Sequence, residues 1–324
     1  MRKFFKKIIN YIVSLNNKQS HLLKEIVFNN LDSRFFEHRS GIDNEKLLNL
    51  LLDLKGTSLV EGLNIANSLI KVSNLEGDVC EFGVAQGKTS KLIGYIINNL
   101  DKKLFLFDSF KGLPKPTKED ELKDDIFNLK NISNYEGKMS HEEEKVLSEL
   151  KMVNFDKKKL VVNRGFFFEK NIVNFDIPKN VSFAYLDFDF YQPTLDALNL
   201  LEKIIVKKGI IIVDDYDFFS TGAKTAVDKW MDKNKKDFTI KQVKTSLSNF
   251  VKIQKNWIMK ILKQISKKIF NFLGYDIQKK TISNNFEILK KIFDYNNEIN
   301  IFDVGANEGR WIGEAMDNFN NATI

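Results

Sequence analysis

Between residues 77 and 255 short apolar runs alternate with amphipathic stretches. Val79-Cys80-Glu81-Phe82, Leu104-Phe105-Leu106-Phe107-Asp108 and Leu160-Val161-Val162-Asn163 are too short for helices and read as three buried strands. Two further runs end abruptly in acids: Ala184-Tyr185-Leu186-Asp187-Phe188-Asp189-Phe190-Tyr191 and Gly209-Ile210-Ile211-Ile212-Val213-Asp214-Asp215-Tyr216. Between them, residues 193–208 carry Leu195, Leu198, Leu201, Ile204 and Ile205 at helical spacing, with Pro193 suited to a first turn. Strand, helix and strand of this length predict a right-handed βαβ unit with parallel, neighbouring strands. Helices are predicted over 89–99, near 142–150 and over 221–232, and two closing strands near 238–243 and 250–253. That order is an α/β, doubly wound sheet. Residues 1 to about 72 read as helices instead, over 22–29, 44–54 and 58–72.

Beyond the sheet, residues 257–268 read as a basic linker helix and 287–295 as another helix. Ile299-Asn300-Ile301-Phe302-Asp303-Val304-Gly305-Ala306-Asn307-Glu308-Gly309 repeats the pattern of residues 79–87, an apolar strand and an acid followed by G-x-x-x-G. A strand this apolar wants partners on both sides. The expectation is therefore a second nucleotide-binding-type domain, cut short. Four regions follow: helices over 1–72, the main domain over 73–255, linker helices over 256–298 and the truncated domain over 299–324. The stretch 109–138 is too long for a plain connection and is either a lid over the active edge or a surface insertion.

Composition narrows the class without changing this picture. Of 324 residues, 43% are hydrophobic and 12% aromatic, which suits a packed domain rather than a disordered chain. Cys80 is the single cysteine, which excludes a disulfide framework and fits a reducing, cytoplasmic compartment. The net charge of +7 comes from lysines interleaved with acids, a solvated surface rather than a nucleic-acid interface. Residues 1–13 are basic and amphipathic, suited to peripheral contact with a membrane surface or to packing on the chain's own domain or a partner subunit. No stretch reaches transmembrane length. The state of oligomerisation, including a homo-oligomer, stays open.

The acids carry the chemistry. Neighbouring strands lie about 4.8 Å apart, so the two runs deliver Asp187, Asp189, Asp214 and Asp215 to one spot. Open α/β sheets bind ligands at that edge, and a divalent cation with oxygen ligands would relieve the repulsion among the carboxylates. Asp187 and Asp189, two residues apart, are expected on one strand face. The turn Glu81-Phe82-Gly83-Val84-Ala85-Gln86-Gly87-Lys88-Thr89-Ser90 has glycines four apart and lacks the G-x-G-x-x-G spacing of a dinucleotide site. An acid at its strand end suits an ammonium or sulfonium charge, and Asp108 is placed for ribose hydroxyls. Together these fit S-adenosylmethionine better than NAD.

Gly77 to Val84, Phe107-Asp108-Ser109-Phe110-Lys111-Gly112-Leu113-Pro114, Asn163-Arg164-Gly165-Phe166-Phe167, Leu186 to Thr194 and Val213-Asp214-Asp215-Tyr216 resemble the macrocin O-methyltransferase (TylF-type) family over about residues 50–255. The resemblance implies a class I methyltransferase with a Rossmann-like sheet. It would depend on S-adenosylmethionine and Mg²⁺ and act on hydroxyl oxygens, often of sugars. By position, Asp187, Asp214 and Asp215 match the metal ligands and Asp189 the base. Glu81, Phe82, Gly83, Val84, Ala85, Ser90, Asp108, Ser109 and Asp187 fall in the cofactor motifs, with Thr57 a weaker match. His141, in or just after the lid, is a second candidate base. The chain departs from the pattern at Phe188, where antibiotic-pathway members often carry glycine, and at Lys88-Thr89-Ser90, which replace an aromatic-rich turn. The tail from about Met259 resembles the start of FkbM-type methyltransferases, through Ile301 to Gly309, which points the acceptor toward a cell-surface glycan. Two rivals remain. Asp187-Phe188-Asp189 also fits the D-x-D of a metal-dependent glycosyltransferase, although Glu81, Gly83 and Asp108 then have no role. The chain could also be a non-catalytic partner that keeps only the fold.

Overall fold

The computed structural model describes residues 44–244 and 249–256, together with two short paired segments, 299–300 and 322–323. The expected helices over 22–29, 257–268 and 287–295, the basic segment 1–13 and the glycine turn at 303–309 lie outside the described residues. The chain divides into two compact units, residues 1–257 and 258–324. In the second, Ile299–Asn300 pairs in parallel with Ala322–Thr323.

Among the described residues the first unit opens with α1 (Asn44–Leu52) and α2 (Leu59–Lys71). A capping box starts α2: Ser58 accepts from the Glu61 backbone N–H, and the Glu61 carboxylate accepts from the Ser58 N–H. Then come β1 (Asp78–Phe82), α3 (Lys88–Ile97), β2 (Leu104–Asp108), α4 (Glu143–Met152), β3 (Leu160–Arg164), β4 (Val181–Leu186) and α5 (Tyr191–Ile204). The unit closes with β5 (Ile205–Val213), α6 (Gly222–Asn234), β6 (Phe238–Lys244) and β7 (Asn249–Lys255). The strands form one sheet in the order β3-β2-β1-β4-β5-β7-β6. The first five are mutually parallel, and β7 runs antiparallel to both of its neighbours.

Alternation along each strand divides the core into two layers. Val79, Leu104, Leu106, Phe183, Tyr185, Ile210 and Ile212 pack on the side of α1 to α4. Cys80, Phe82, Phe105, Phe107, Ala184, Leu186, Ile211 and Val213 pack with α5 and α6. Strands buried on both faces explain why the sequence shows continuous apolar runs there.

The predicted helix over 193–208 ends early. Ile205 leaves the helical region at φ −69°, ψ 129° and pairs with Val181, so residues 205–208 open β5. The register then jumps, with Phe183 opposite Ile210, which leaves Lys207 and Lys208 exposed in an irregular entry to the strand. An isoleucine after Ile204 suits a helix face and a buried strand equally, so spacing alone placed this boundary wrongly.

The long stretch after β2 is folded. Leu113 and Gly137 hold its base together through Leu113 N–H to Lys138 O (2.9 Å) and Gly137 N–H to Leu113 O (2.9 Å). Leu113 and Tyr135 pack with Phe190 and Phe219 in a small core of their own. Asp120 accepts from the backbone N–H of Thr117 (2.7 Å) and, across the chain, of Tyr191 (2.7 Å). These contacts anchor the lid to the start of α5. On the other flank Lys88 and Lys91 of α3 bind Asp53 after α1 and Glu149 of α4 at 2.5–2.8 Å. Burial alone would raise the Glu149 carboxyl, but the two lysines hold it below its ordinary value.

Candidate active site

The parallel strands end together, and backbone hydrogen bonds continue one residue past each. Gly83 N–H donates to Phe107 O (2.8 Å), Asp187 N–H to Phe82 O (2.8 Å) and Asp214 N–H to Leu186 O (2.8 Å). Above this edge lies a cavity of about 640 Å³. Gly83, Ala85 and Gln86 of the β1 turn line it, with Asp108 and Ser109 at the end of β2. Asp187, Phe188 and Asp189 after β4 and Asp214 and Asp215 after β5 form another part of its wall. The lid contributes Leu113, Pro114, Ile126 and Phe127, the residues just after it Met139 and His141, and Lys55 and Gly56 enter from the α1–α2 connection.

The acids are brought together by turns rather than by strand alternation. Because β4 ends at Leu186, the expectation that Asp187 and Asp189 share a strand face does not apply. Asp189 has φ 61°, and Phe190 N–H donates back to Phe188 O at 2.6 Å, which folds the segment sharply. Asp215 also has positive φ, 49°. Such backbone is costly outside glycine and gathers at functional sites. The result is that Asp187, Asp189 and Asp215 each offer a carboxylate oxygen within 4.8 Å of the others. Burial first, then the neighbouring Asp187 and Asp215, push the Asp189 carboxyl well above its ordinary range. Three hard oxygen donors whose mutual repulsion is this strong are a donor set that fits Mg²⁺ or Ca²⁺.

Asp214 is held differently. It accepts from the Tyr185 hydroxyl (2.6 Å) and from the Asp215 N–H (2.6 Å), with its side chain buried. Glu61 of α2, also buried, is its carboxyl neighbour, and burial followed by Asp214 drives the Glu61 carboxyl well up. The sequence signals Glu61 only as the last member of the S-x-x-E capping box, and nothing in it shows that α2 reaches the acids.

The residues matched to cofactor motifs separate into two shells. Gly83, Ala85, Asp108, Ser109 and Asp187 line the cavity, whereas Thr57, Glu81, Phe82, Val84 and Ser90 are buried and absent from the cavity wall. Asp108 accepts from Val84 N–H (2.8 Å) and Phe110 N–H (2.7 Å), one on each oxygen, and so fixes the glycine turn against the start of the lid. Ser109 donates to Gly112 O (2.8 Å). Phe82 stacks on Phe107 at 4.5 Å inside the core. Thr57 and Thr89 join hydroxyls at 3.1 Å. His141 lines the cavity, and burial followed by Lys145 lowers its pKa, so the imidazole is neutral near pH 7.

Glu81 is fully buried, and neither its carboxyl oxygens nor the Ser90 hydroxyl completes a hydrogen bond of normal geometry. Burial pushes its pKa to about 8, only partly offset by nearby Ser90. A carboxyl raised on folding stabilises the fold fully below its unfolded pKa and loses that contribution as pH rises to the folded value. Unfolding free energy should therefore fall between about pH 4.5 and 8, by on the order of 4 kcal/mol. Glu81→Gln should flatten that slope, as denaturant titrations at pH 5.5 and 8 would reveal. A parallel slope in the variant would refute the assignment.

A sheet in this order with β7 reversed, a glycine turn after β1 and an acid beside it at the end of β2 define a class I methyltransferase of Rossmann-like fold. The sequence matches the Macrocin-O-methyltransferase (TylF) family over residues 23–252, and the chain belongs to that family. It is thus an O-methyltransferase, which sets aside both the glycosyltransferase and the non-catalytic readings. Among solved structures, the O-methyltransferase NovP shares 20% identity over 67% of this chain and 82% of its own, with a TM-score of 0.50. The calicheamicin methyltransferase CalS11 shares 17% over 73% and 93%, at a TM-score of 0.46. An O-methyltransferase from Bacillus cereus in complex with SAH shares 11% over 71% and 100%, at 0.42. The likeness to NovP is one of fold. Comparison with curated proteins gave no match.

Proposed function

We propose that the chain is an S-adenosylmethionine- and Mg²⁺-dependent O-methyltransferase acting on a hydroxyl of a sugar, in a glycosylated metabolite or a cell-surface glycan. One observation carries the reading: three clustered aspartates, the Gly83 turn and Asp108 share a single cavity. In this reading Asp187, Asp189 and Asp215 hold the cation, and Asp214 fixes the Asp215 backbone. Asp189 thereby moves from the role of base into the cation set. When bound, the two groups supply an electrophilic methyl on sulfonium and a positive charge that lowers a hydroxyl's pKa. The Gly83 and Ala85 backbone, the Asp108 carboxylate and Asp187, which line the cavity together, would hold and orient the donor. A neutral imidazole nitrogen of His141 takes the hydroxyl proton, and the lid excludes water. Residues 73–255 are the catalytic domain, and 299–324 belong to a second, FkbM-like region. A cytoplasmic location belongs to the same proposal; among the described residues no helix is long and apolar enough to cross a membrane.

The test is calorimetric titration with S-adenosylhomocysteine, with and without Mg²⁺, followed by transfer of labelled methyl to glycosides. Binding and Mg²⁺-dependent transfer are expected. Transfer that persists undiminished in excess EDTA would remove the cation from the account, and absence of S-adenosylhomocysteine binding would remove the donor.

A further inference from the structure

Of the lid's large apolar side chains, Phe127 is the one left exposed. Phe127 is 46% exposed, yet it lines the cavity that contains Asp187, Asp189 and Asp215. Its neighbour Tyr135 is buried in the lid core with Leu113. A phenyl ring left half in water at a cavity wall is a contact surface awaiting a ligand.

The turn that carries it is built, not loose. Asp125 accepts from Leu129 N–H (2.7 Å), Lys130 N–H (2.7 Å) and the Tyr135 hydroxyl (2.8 Å). The Tyr135 ring stacks on Phe219 at 5.3 Å, which ties the turn to the segment after β5. Phe127 itself leans on Tyr135, ring centroids 5.6 Å apart at 34°, and its N–H reaches the Tyr135 hydroxyl at 3.4 Å. Asn128 and Lys130 take left-handed φ of 56° and 66° to make the turn possible. Strained backbone and three hydrogen bonds to one carboxylate thus fix an exposed ring in place.

We infer that Phe127 is the acceptor's platform and a specificity-determining residue. A pyranose carries hydroxyls around its edge and C–H bonds on its faces. With hydroxyls directed to the acids, it presents a C–H face to the Phe127 ring. This rests on the proposed glycosyl O-methyltransferase reading and adds the residue that selects the acceptor.

The experiment uses the full chain, Mg²⁺, labelled S-adenosylmethionine and methyl and phenyl glycopyranosides with free vicinal hydroxyls, with catechol as a flat comparison. In Phe127→Ala the acceptor KM should rise about tenfold or more, with kcat and S-adenosylhomocysteine affinity within about threefold of wild type. Phe127→Tyr and Phe127→Trp should restore KM, and Phe127→Leu should not. An unchanged KM in the alanine variant, or rescue by leucine, overturns the inference. So does a wild type that binds S-adenosylhomocysteine yet methylates catechol alone or no acceptor at all, an outcome that leaves donor binding standing. Failure to bind S-adenosylhomocysteine sinks the underlying reading instead, and the inference with it.

Discussion

Asp187→Ala should abolish methyl transfer while making the metal-free protein more stable. The two effects have opposite signs because the carboxylate serves a ligand and burdens the fold. Asp187, Asp189 and Asp215 offer oxygens within 4.8 Å of one another. At that separation two full charges repel by about 3–4 kcal/mol at an effective dielectric near 20. Proton uptake at Asp189, whose carboxyl is pushed up by burial and then by Asp187 and Asp215, relieves part of this. Removing Asp187 should therefore return ~1–2 kcal/mol, a rise of about 2–4 °C in Tm for each kcal/mol in a domain of this size. A cation held by these groups contributes several kcal/mol to the reaction, so kcat/KM should fall about a thousandfold or more. The Mg²⁺-induced rise in Tm should disappear with it. Asp187→Asn keeps shape and should behave alike, since the charge is what matters. A variant that is less stable and only proportionately less active would mean that Asp187 is a structural residue.

The sheet was legible because its central parallel strands are largely buried on both faces, so most of each appears as a short apolar run. The order of turns and acids then pointed to the sheet edge where the cavity lies. Convergence of Asp187, Asp189 and Asp215 was legible for the same reason: β4 and β5 are neighbours, and acids just past their ends meet. The means was not legible, since the fold uses a sharp turn at Asp189 and positive φ at Asp215 where sequence reasoning supposed an extended strand. Asp214 and Asp215 are adjacent and look equivalent in sequence. Only the Tyr185 hydroxyl and the approach of α2 separate them, and both depend on packing between distant segments. The lid's interior was hidden as well. Leu113, Tyr135, Phe190 and Phe219 form its core without any periodicity, and the Asp120 and Asp125 carboxylates organise it through backbone donors that carry no sequence signature. Glu81 was legible as an acid near the end of an apolar strand, but strand alternation turns it toward α3, behind the wall of the cavity.

Gly83→Ala should be among the most damaging single substitutions in the chain. Gly83 has φ +80°, in the region where an L side chain is strained. A methyl group there would also sit 2.1 Å from the Asp187 carbonyl oxygen, a backbone atom and not a side chain that can swing away. Relief requires the ends of β1 and β4 to separate, yet both are pinned: Gly83 N–H to Phe107 O and Asp187 N–H to Phe82 O, each at 2.8 Å. Left-handed strain alone costs about 1–3 kcal/mol, and overpacking against a fixed backbone adds ~1–3 kcal/mol more. The expected loss is about 2–6 kcal/mol, which at roughly 2–4 °C per kcal/mol lowers Tm by about 5–20 °C. Because Asp187 would shift with the strand end, Mg²⁺ binding should weaken together with S-adenosylhomocysteine binding, although the substitution touches neither ligand's charge partners. Gly137→Ala is the control, since its φ of +73° is equally positive but nothing lies within 4 Å of the added carbon. Its cost should be limited to the backbone term, with both affinities unchanged. If the two variants lose equal stability and keep equal affinities, close packing of the β1 turn on Asp187 is not what shapes the site.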